Sequence, residues 1–310
     1  MASDPFVVVD VTAWPVRLDE PAGGEEKWGW LEAPDGQLWL FKPRSQRDGR
    51  TQGEDWAEKI AAELGKLVGL PCATVELAIR GGRVGTLSLD LRPERWSLHS
   101  GAQLLAGADP DYVPRTKASD GTVVGRDRRG HSLMNIQRAL AGVAPPPGAG
   151  VPPGFGAFDV FTAYVMFDAW IANQDRHEEN WAVLRGPTVH EPDRLAGSFD
   201  HGSSLSYRLP DSERLDHLHH KTVGAWAAKG KAAKFERHPS GRRWGLVEHA
   251  AHAFSLVRPE VRAYWTQRLQ EVTPPRTDEI LHRVPDLSDP TRTFLAALLA
   301  INQRRLLDAC

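Results

Sequence analysis

Cysteine is almost missing from this chain: Cys72 and Cys310 are the only two in 310 residues. They cannot build a disulfide framework, and no Cys-x-x-Cys offers a redox or metal pair. No run of about 18 apolar residues occurs, so no transmembrane helix is expected. Neither sign of charge dominates, with 38 Lys plus Arg against 40 Asp plus Glu and a net of −2 at pH 7. That balance gives no field favouring nucleic acid or an anionic membrane. Walker A and Gly-x-Gly-x-x-Gly are both absent, which sets aside P-loop and Rossmann sites. No basic segment precedes the short apolar run at residues 6–9, so no secretory signal is expected there. The expected setting is reduced and cytoplasmic. The abundant Ala, Arg, Gly and Pro suit a bacterial source.

Hydrophobic residues make up 41% of the chain, enough for a large core divided between two lobes. Aromatic arms at 28–31 and 37–42 flank the turn Pro34-Asp35-Gly36 and predict a hairpin. Residues 54–68 predict a helix with Trp56, Ile60, Leu64 and Leu67 on one face, stopped by Gly69-Leu70-Pro71. Residues 74–79 and 83–89 predict a second hairpin across Gly81-Gly82. After Pro93 the character becomes mostly helical. A Pro/Gly-rich stretch at 143–156 predicts a surface connection, and 158–171 a strongly apolar helix. Amphipathic helices are expected at 244–257, 259–272 and 291–307. The fold class is α+β, with a β-rich N-lobe over 1–92 and a mostly helical C-lobe over 93–310.

The most informative stretch is Asn173-Gln174-Asp175-Arg176-His177-Glu178-Glu179-Asn180-Trp181, with Asp200-His201-Gly202 after it. Asp175 precedes Asn180 by five positions and Asp200 by twenty-five. Phosphoryl transfer needs this set: one carboxylate to orient the attacking hydroxyl, and an amide oxygen with a second carboxylate for the metal. Asp175 takes the first role, with Arg176 as a cation that would keep it ionised. Asn180 and Asp200 are the candidate Mg²⁺ ligands. Lys42, at the end of an aromatic strand, is the candidate ATP-phosphate lysine. Glu54, Glu58 and Glu63 on the following helix could each hold it. Glu58 is favoured, because Ala61, Ala62 and Gly65 beside it allow close approach to the sheet. Gly23, Gly24 and Lys27 form a candidate phosphate-covering turn. His177 is expected to fix the loop by hydrogen bonds, with metal ligation as the lesser alternative. His217-Leu218-His219-His220 lacks zinc spacing and predicts a solvated helix face. Lys229, Lys231, Lys234, Arg237, Arg242 and Arg243 predict a solvated, mobile basic segment, with docking of an anionic substrate as the lesser alternative.

On these residues the chain resembles the HipA-like kinase family, related in fold to phosphoinositide and protein kinases. Leu40-Phe41-Lys42-Pro43 is similar to the family's nucleotide-lysine strand. Residues 58–71 resemble its Glu-bearing helix and Gly-Leu-Pro exit. Residues 169–181, with Phe199-Asp200-His201-Gly202, resemble its catalytic and metal-binding loops. The likeness runs from about residue 25 to 205. It implies a bilobal protein-kinase-like fold, ATP and Mg²⁺ as cofactors, and Ser/Thr phosphorylation. It also implies frequent autophosphorylation and, in some members, an antitoxin-like partner. The longer members' extra N-terminal β-subdomain has no room here, so the chain resembles the compact ones. His201 stands where protein kinases have the Phe of their metal-binding triplet. Ser203, Ser204 and Ser206 are candidate autophosphorylation sites by position alone. Two other functions are compatible with the same residues: a small-molecule kinase acting on an antibiotic, nucleoside or sugar, and a pseudokinase-like binding module.

Overall fold

The computed structural model describes residues 4–17, 29–47, 49–108, 110, 112–117, 123–125, 127–188 and 190–310. Gly23, Gly24 and Lys27 lie outside the described residues. The chain opens with β1 (Val8–Asp10), β2 (Val16–Arg17), β3 (Gly29–Glu32) and β4 (Leu38–Pro43). A short ribbon of β5 (Gln46–Arg47) and β6 (Arg50–Thr51) leads into α1 (Glu54–Leu67), β7 (Val75–Arg80) and β8 (Arg83–Leu89). One six-stranded sheet results, in the order β1-β7-β8-β4-β3-β2. β1 pairs with β7 in parallel and the other neighbours are antiparallel. The expected hairpins are β3–β4 and β7–β8. At the second, Gly81 and Gly82 both have positive φ, the requirement of a two-residue turn that matches strand twist.

The second part holds β9 (Ser97–Ser100), α2 (Gly101–Ala108), β10 (Thr116–Lys117), β11 (Val123–Val124), α3 (Leu133–Ala139) and α4 (Ala157–Trp170). Next come β12 (Ala182–Arg185), β13 (Arg194–Leu195), α5 (Asp211–His219), α6 (Val223–Ala228) and α7 (Leu246–Ser255). α8 (Pro259–Gln270), α9 (Pro274–Arg283) and α10 (Asp289–Ala309) complete it. A strand is expected from the sequence at residues 195–199, before Asp200; it forms as the shorter β13, in a small antiparallel sheet β13-β12-β9 whose other two strands the sequence does not announce. The sheet carries the chain out of one functional loop and toward the next.

α4 is buried on every side except at Asp159, as its mostly apolar sequence requires, and it carries Thr162 and Asp168 into the interior. Its C-terminal carbonyl at Trp170 accepts from Asn302 Nδ2 of α10 at 3.1 Å. A continuous core runs from Ile60 and Leu64 of α1 through α4 to Leu295 and Leu298 of α10. The opposite face of the large sheet has its own cluster of Val11, Leu31, Phe41, Ala78 and Leu87. Because α1 and α4 share one core, the strand bearing Lys42 and the loop after α4 are held against each other. The 143–156 connection is tied to β13 where Leu195 N donates to the Ala144 carbonyl. Among the described residues, no helix is long and apolar enough to cross a membrane.

Candidate active site

The loop after α4 begins at Ala172, whose φ is 55°. Asn173 then sets its course: its Nδ2 donates to Asp168 Oδ1 at 2.8 Å, and its Oδ1 accepts from the Asp175 amide at 3.0 Å. Arg176 turns inward. Its Nε and Nη2 donate to the two oxygens of Asp168, each at 2.7 Å, and its Nη1 donates to the Asn180 carbonyl at 2.9 Å. The guanidinium is thus spent on a buried carboxylate of α4 and does not serve Asp175, contrary to the sequence expectation. The physical reason is Asp168 itself, which is 3% exposed and needs a charge partner. The cation beside Asp175 is Lys234, with Nζ 2.8 Å from Oδ1. Asn180 is buried beside the cleft, its Nδ2 donating to the Asp175 carbonyl at 2.9 Å. Its Oδ1 is the remaining donor atom.

Asp200 enters from the opposite side. Its φ of 60° puts it in the left-handed region, a strained conformation that Asp tolerates better than most residues. Lys42, the penultimate residue of β4, reaches it with Nζ 2.6 Å from Oδ1. Burial alone would raise the Asp200 carboxyl, but the Lys42 ammonium, with His177 and His201 adding to it, holds it below the usual range. Burial likewise opposes charge on Lys42, and Asp200 and then Glu58 hold it above its ordinary value. Glu58 is buried, and burial raises its carboxyl although Lys42 opposes the shift. It accepts backbone N–H bonds from His201 and Gly202. Gly202 is tightly placed: a Cβ there would lie 3.2 Å from Glu58 Oε2 and from the Glu54 carbonyl, so those groups would have to give way. His201 is buried and takes a bond from Ser198 Oγ at 2.7 Å. Burial, then Arg176, pushes its basicity well below normal. Glu63 faces elsewhere, paired with Lys59 at 2.9 Å and Lys66 at 2.8 Å.

Lys42, Glu58, Asp175, His177 and Asp200 therefore border one cleft of about 880 Å³. Arg44, Arg83 and Arg208 also line it, and none of the three stood out in the sequence. Arg44 lay two places beyond Lys42 on the same edge, the one available hint. A second cleft of about 550 Å³ adjoins the first, lined by Lys234, Glu213 and Trp226. Asp175, Ser203, Tyr207 and Arg208 border both. Ser203 is partly exposed, whereas Ser204 and Ser206 are buried.

Among the described residues, no three His, Cys, Asp or Glu side chains are grouped to hold a metal unaided. Mg²⁺ binds through one or two protein oxygens and takes its other ligands from phosphates and water, so Asp200 and Asn180 are the residues that could hold such a cation. Asp200 offers an ionised carboxylate and Asn180 an amide oxygen for that purpose.

No protein-family model matches the chain, and no curated protein matches it. Solved structures do. The Helicobacter pylori proinflammatory kinase CtkA superposes with a TM-score of 0.68 at 15% identity, over 98% of this chain and 96% of that one. The chain has the HipA-like kinase fold. The Shewanella oneidensis toxin HipA, solved with HipB and its operator DNA, gives a TM-score of 0.54 at 14% identity. That match covers 94% of this chain and 67% of HipA. The β-rich first part and helical second part correspond to the bilobal α+β class expected of such kinases.

Proposed function

We propose that this chain is an ATP-dependent phosphotransferase that moves the γ-phosphoryl group to a hydroxyl, with a protein Ser or Thr as acceptor. One observation carries the proposal: Lys42 and Asp200 lie 158 positions apart and meet at 2.6 Å. Two charges brought together over that distance, on a cleft shared with Glu58 and Asp175, are arranged for a ligand that separates them. In that reading Lys42 contacts the ATP phosphates and Glu58 orients it, while Asp200 and Asn180 hold Mg²⁺. Mg²⁺, when bound there, would neutralise charge on the nucleotide phosphates. Asp175 orients the acceptor hydroxyl and receives its proton as the new P–O bond forms and the bond to ADP breaks. The kinase fold supports this chemistry, and the site lies on cleft walls from both parts of the chain.

A small hydroxylated metabolite is the competing acceptor, because the adjoining cleft of about 550 Å³ is of ligand size. Mass spectrometry of the purified protein after incubation with Mg·ATP, alone and with cell lysate, separates the two. A phosphorylated Ser or Thr on this chain or on another protein supports the proposal. Label found only in a metabolite overturns the protein acceptor. Absence of any phosphorylated product overturns phosphotransfer.

A further inference from the structure

Lys234 lies in a segment that looked like a solvated basic stretch. Its ammonium nevertheless sits 2.8 Å from the Asp175 carboxylate, on the wall of the adjoining cleft, which shares Asp175 with the cleft that Lys42 borders. The surrounding backbone is pinned at several points. Lys231 N donates to Gln174 Oε1 at 2.9 Å, next to Asp175. Arg243 Nη1 donates to the carbonyls of Ala233 and Phe235 at 2.8 and 3.1 Å. The carbonyl of Lys234 itself accepts from His131 Nδ1 at 2.7 Å. His131 Nε2 in turn accepts from Trp181 Nε1 at 3.1 Å, one residue beyond Asn180. Phe235 is buried and stacks on the His131 ring with centroids 4.5 Å apart. The segment is thus fastened to both ends of the loop that carries Asp175. An ordinary surface ion pair has no such scaffold and stabilises little.

Charge explains what the scaffold is for. A phosphoryl group in flight beside an ionised Asp175 places two anions together. Lys42 is held on the far side by Asp200 and Glu58, so it does not separate them. We propose that Lys234 is a second phosphate-contacting lysine, delivered from segment 229–245, that neutralises the transferring phosphoryl group between Asp175 and ATP. This rests on the assignment of Asp175 as the residue that orients the acceptor. In the step, the acceptor oxygen bonds to the γ-phosphorus as the bond to the β–γ bridging oxygen breaks. The acceptor proton passes to Asp175, and Lys234 keeps its own protons throughout.

The experiment compares wild type with Lys234→Ala, Lys234→Met and Lys234→Arg. It measures transfer from γ-labelled ATP to water and to protein, with Mg·ATP binding by calorimetry alongside. The Ala and Met variants should lose about 10²–10³-fold in kcat, the usual effect of removing one group that stabilises transition-state charge. Their KM for ATP should stay within about threefold of wild type, since the lost contact acts in the transition state. Arg should retain more activity than Met. Added ethylammonium should partly restore Lys234→Ala, whereas tetramethylammonium at equal ionic strength should not. Wild-type kcat in Lys234→Met overturns this inference and leaves the phosphotransferase proposal standing. So does a loss that follows the thermal midpoint and no amine restores. A wild-type protein that binds Mg·ATP but transfers to nothing overturns both.

Discussion

Replacing Asp168 with Asn should cost about 3–5 kcal/mol of folding stability, the usual result of stranding one member of a buried ion pair. Asp168 and Arg176 are 3% and 2% exposed. The carboxylate accepts two bonds of 2.7 Å from the guanidinium and one of 2.8 Å from Asn173. Burial opposes charge on Arg176, and Asp168 more than offsets it, holding the group above its ordinary range. Asparagine keeps the shape and removes the charge, leaving a buried guanidinium with only neutral partners. Total stability of a domain is about 5–15 kcal/mol, so the variant gives up a large share of it. Urea unfolding at pH 7 measures the effect as a lower midpoint at unchanged slope. Adding Arg176→Met to Asp168→Asn should recover much of the loss, because the unpaired charge goes with its side chain. A loss below about 1 kcal/mol for the single variant, or a double variant no better than the single, would refute the reasoning.

Acid should destabilise the fold through its buried histidines. Burial lowers His131 to about 4 and, with His252 adding to it, His249 to about 3. Their folded values lie below the ordinary 6.5, so the unfolded chain takes up protons first. Stability is therefore complete above about pH 7 and falls as pH drops toward 4, with His131 alone accounting for about 2 kcal/mol between pH 7 and 5. A thermal midpoint that stays flat over that interval would contradict this. Glu58→Gln should lower phosphotransfer by roughly tenfold or more, and Glu63→Gln should leave it near wild type, because Glu63 is engaged by Lys59 and Lys66. Equal rates in the two variants would remove Glu58 from its role. Gly202→Ala should stay folded and lose roughly tenfold in rate, since its Cβ pushes against Glu58 and misplaces the site by a few tenths of an ångström. An unchanged rate there would mean that the contact yields freely.

Much of this fold was legible because local pattern and tertiary need agree. The α1 face, the two hairpins and the strongly apolar α4 follow from spacing and from turn glycines. Other elements depend on partners that spacing does not reveal. β9 is Ser97–Ser100, four residues without alternation, and it exists because β12 pairs along its whole length. α9 starts with Pro274 and Pro275, which look like helix breakers, although Pro is well tolerated in the first turn. The candidate site divides the same way. Lys42, Glu58, Asp175 and Asp200 stand out by chemistry and order along the chain, and the core shared by α1 and α4 brings them to one cleft. Asn180 lies buried beside that cleft. Gly23, Gly24 and Lys27 fall outside the described residues. Sequence proximity points Arg176 at Asp175, but burial pairs it with Asp168. Lys234 is not legible in the sequence, because a lysine in a basic stretch carries no periodic signal; only Phe235 next to it, needing a place to bury, hints that the segment docks.

The most direct measurement is the rate of γ-label transfer in the presence of Mg²⁺ by wild type, Asp175→Asn and Asp200→Asn, each checked for an unchanged circular dichroism spectrum. Wild type should transfer label, and each variant should fall by at least about 10²-fold. Transfer by both variants at the wild-type rate would contradict the claim that these two carboxylates, on one cleft with Lys42, carry out phosphoryl transfer.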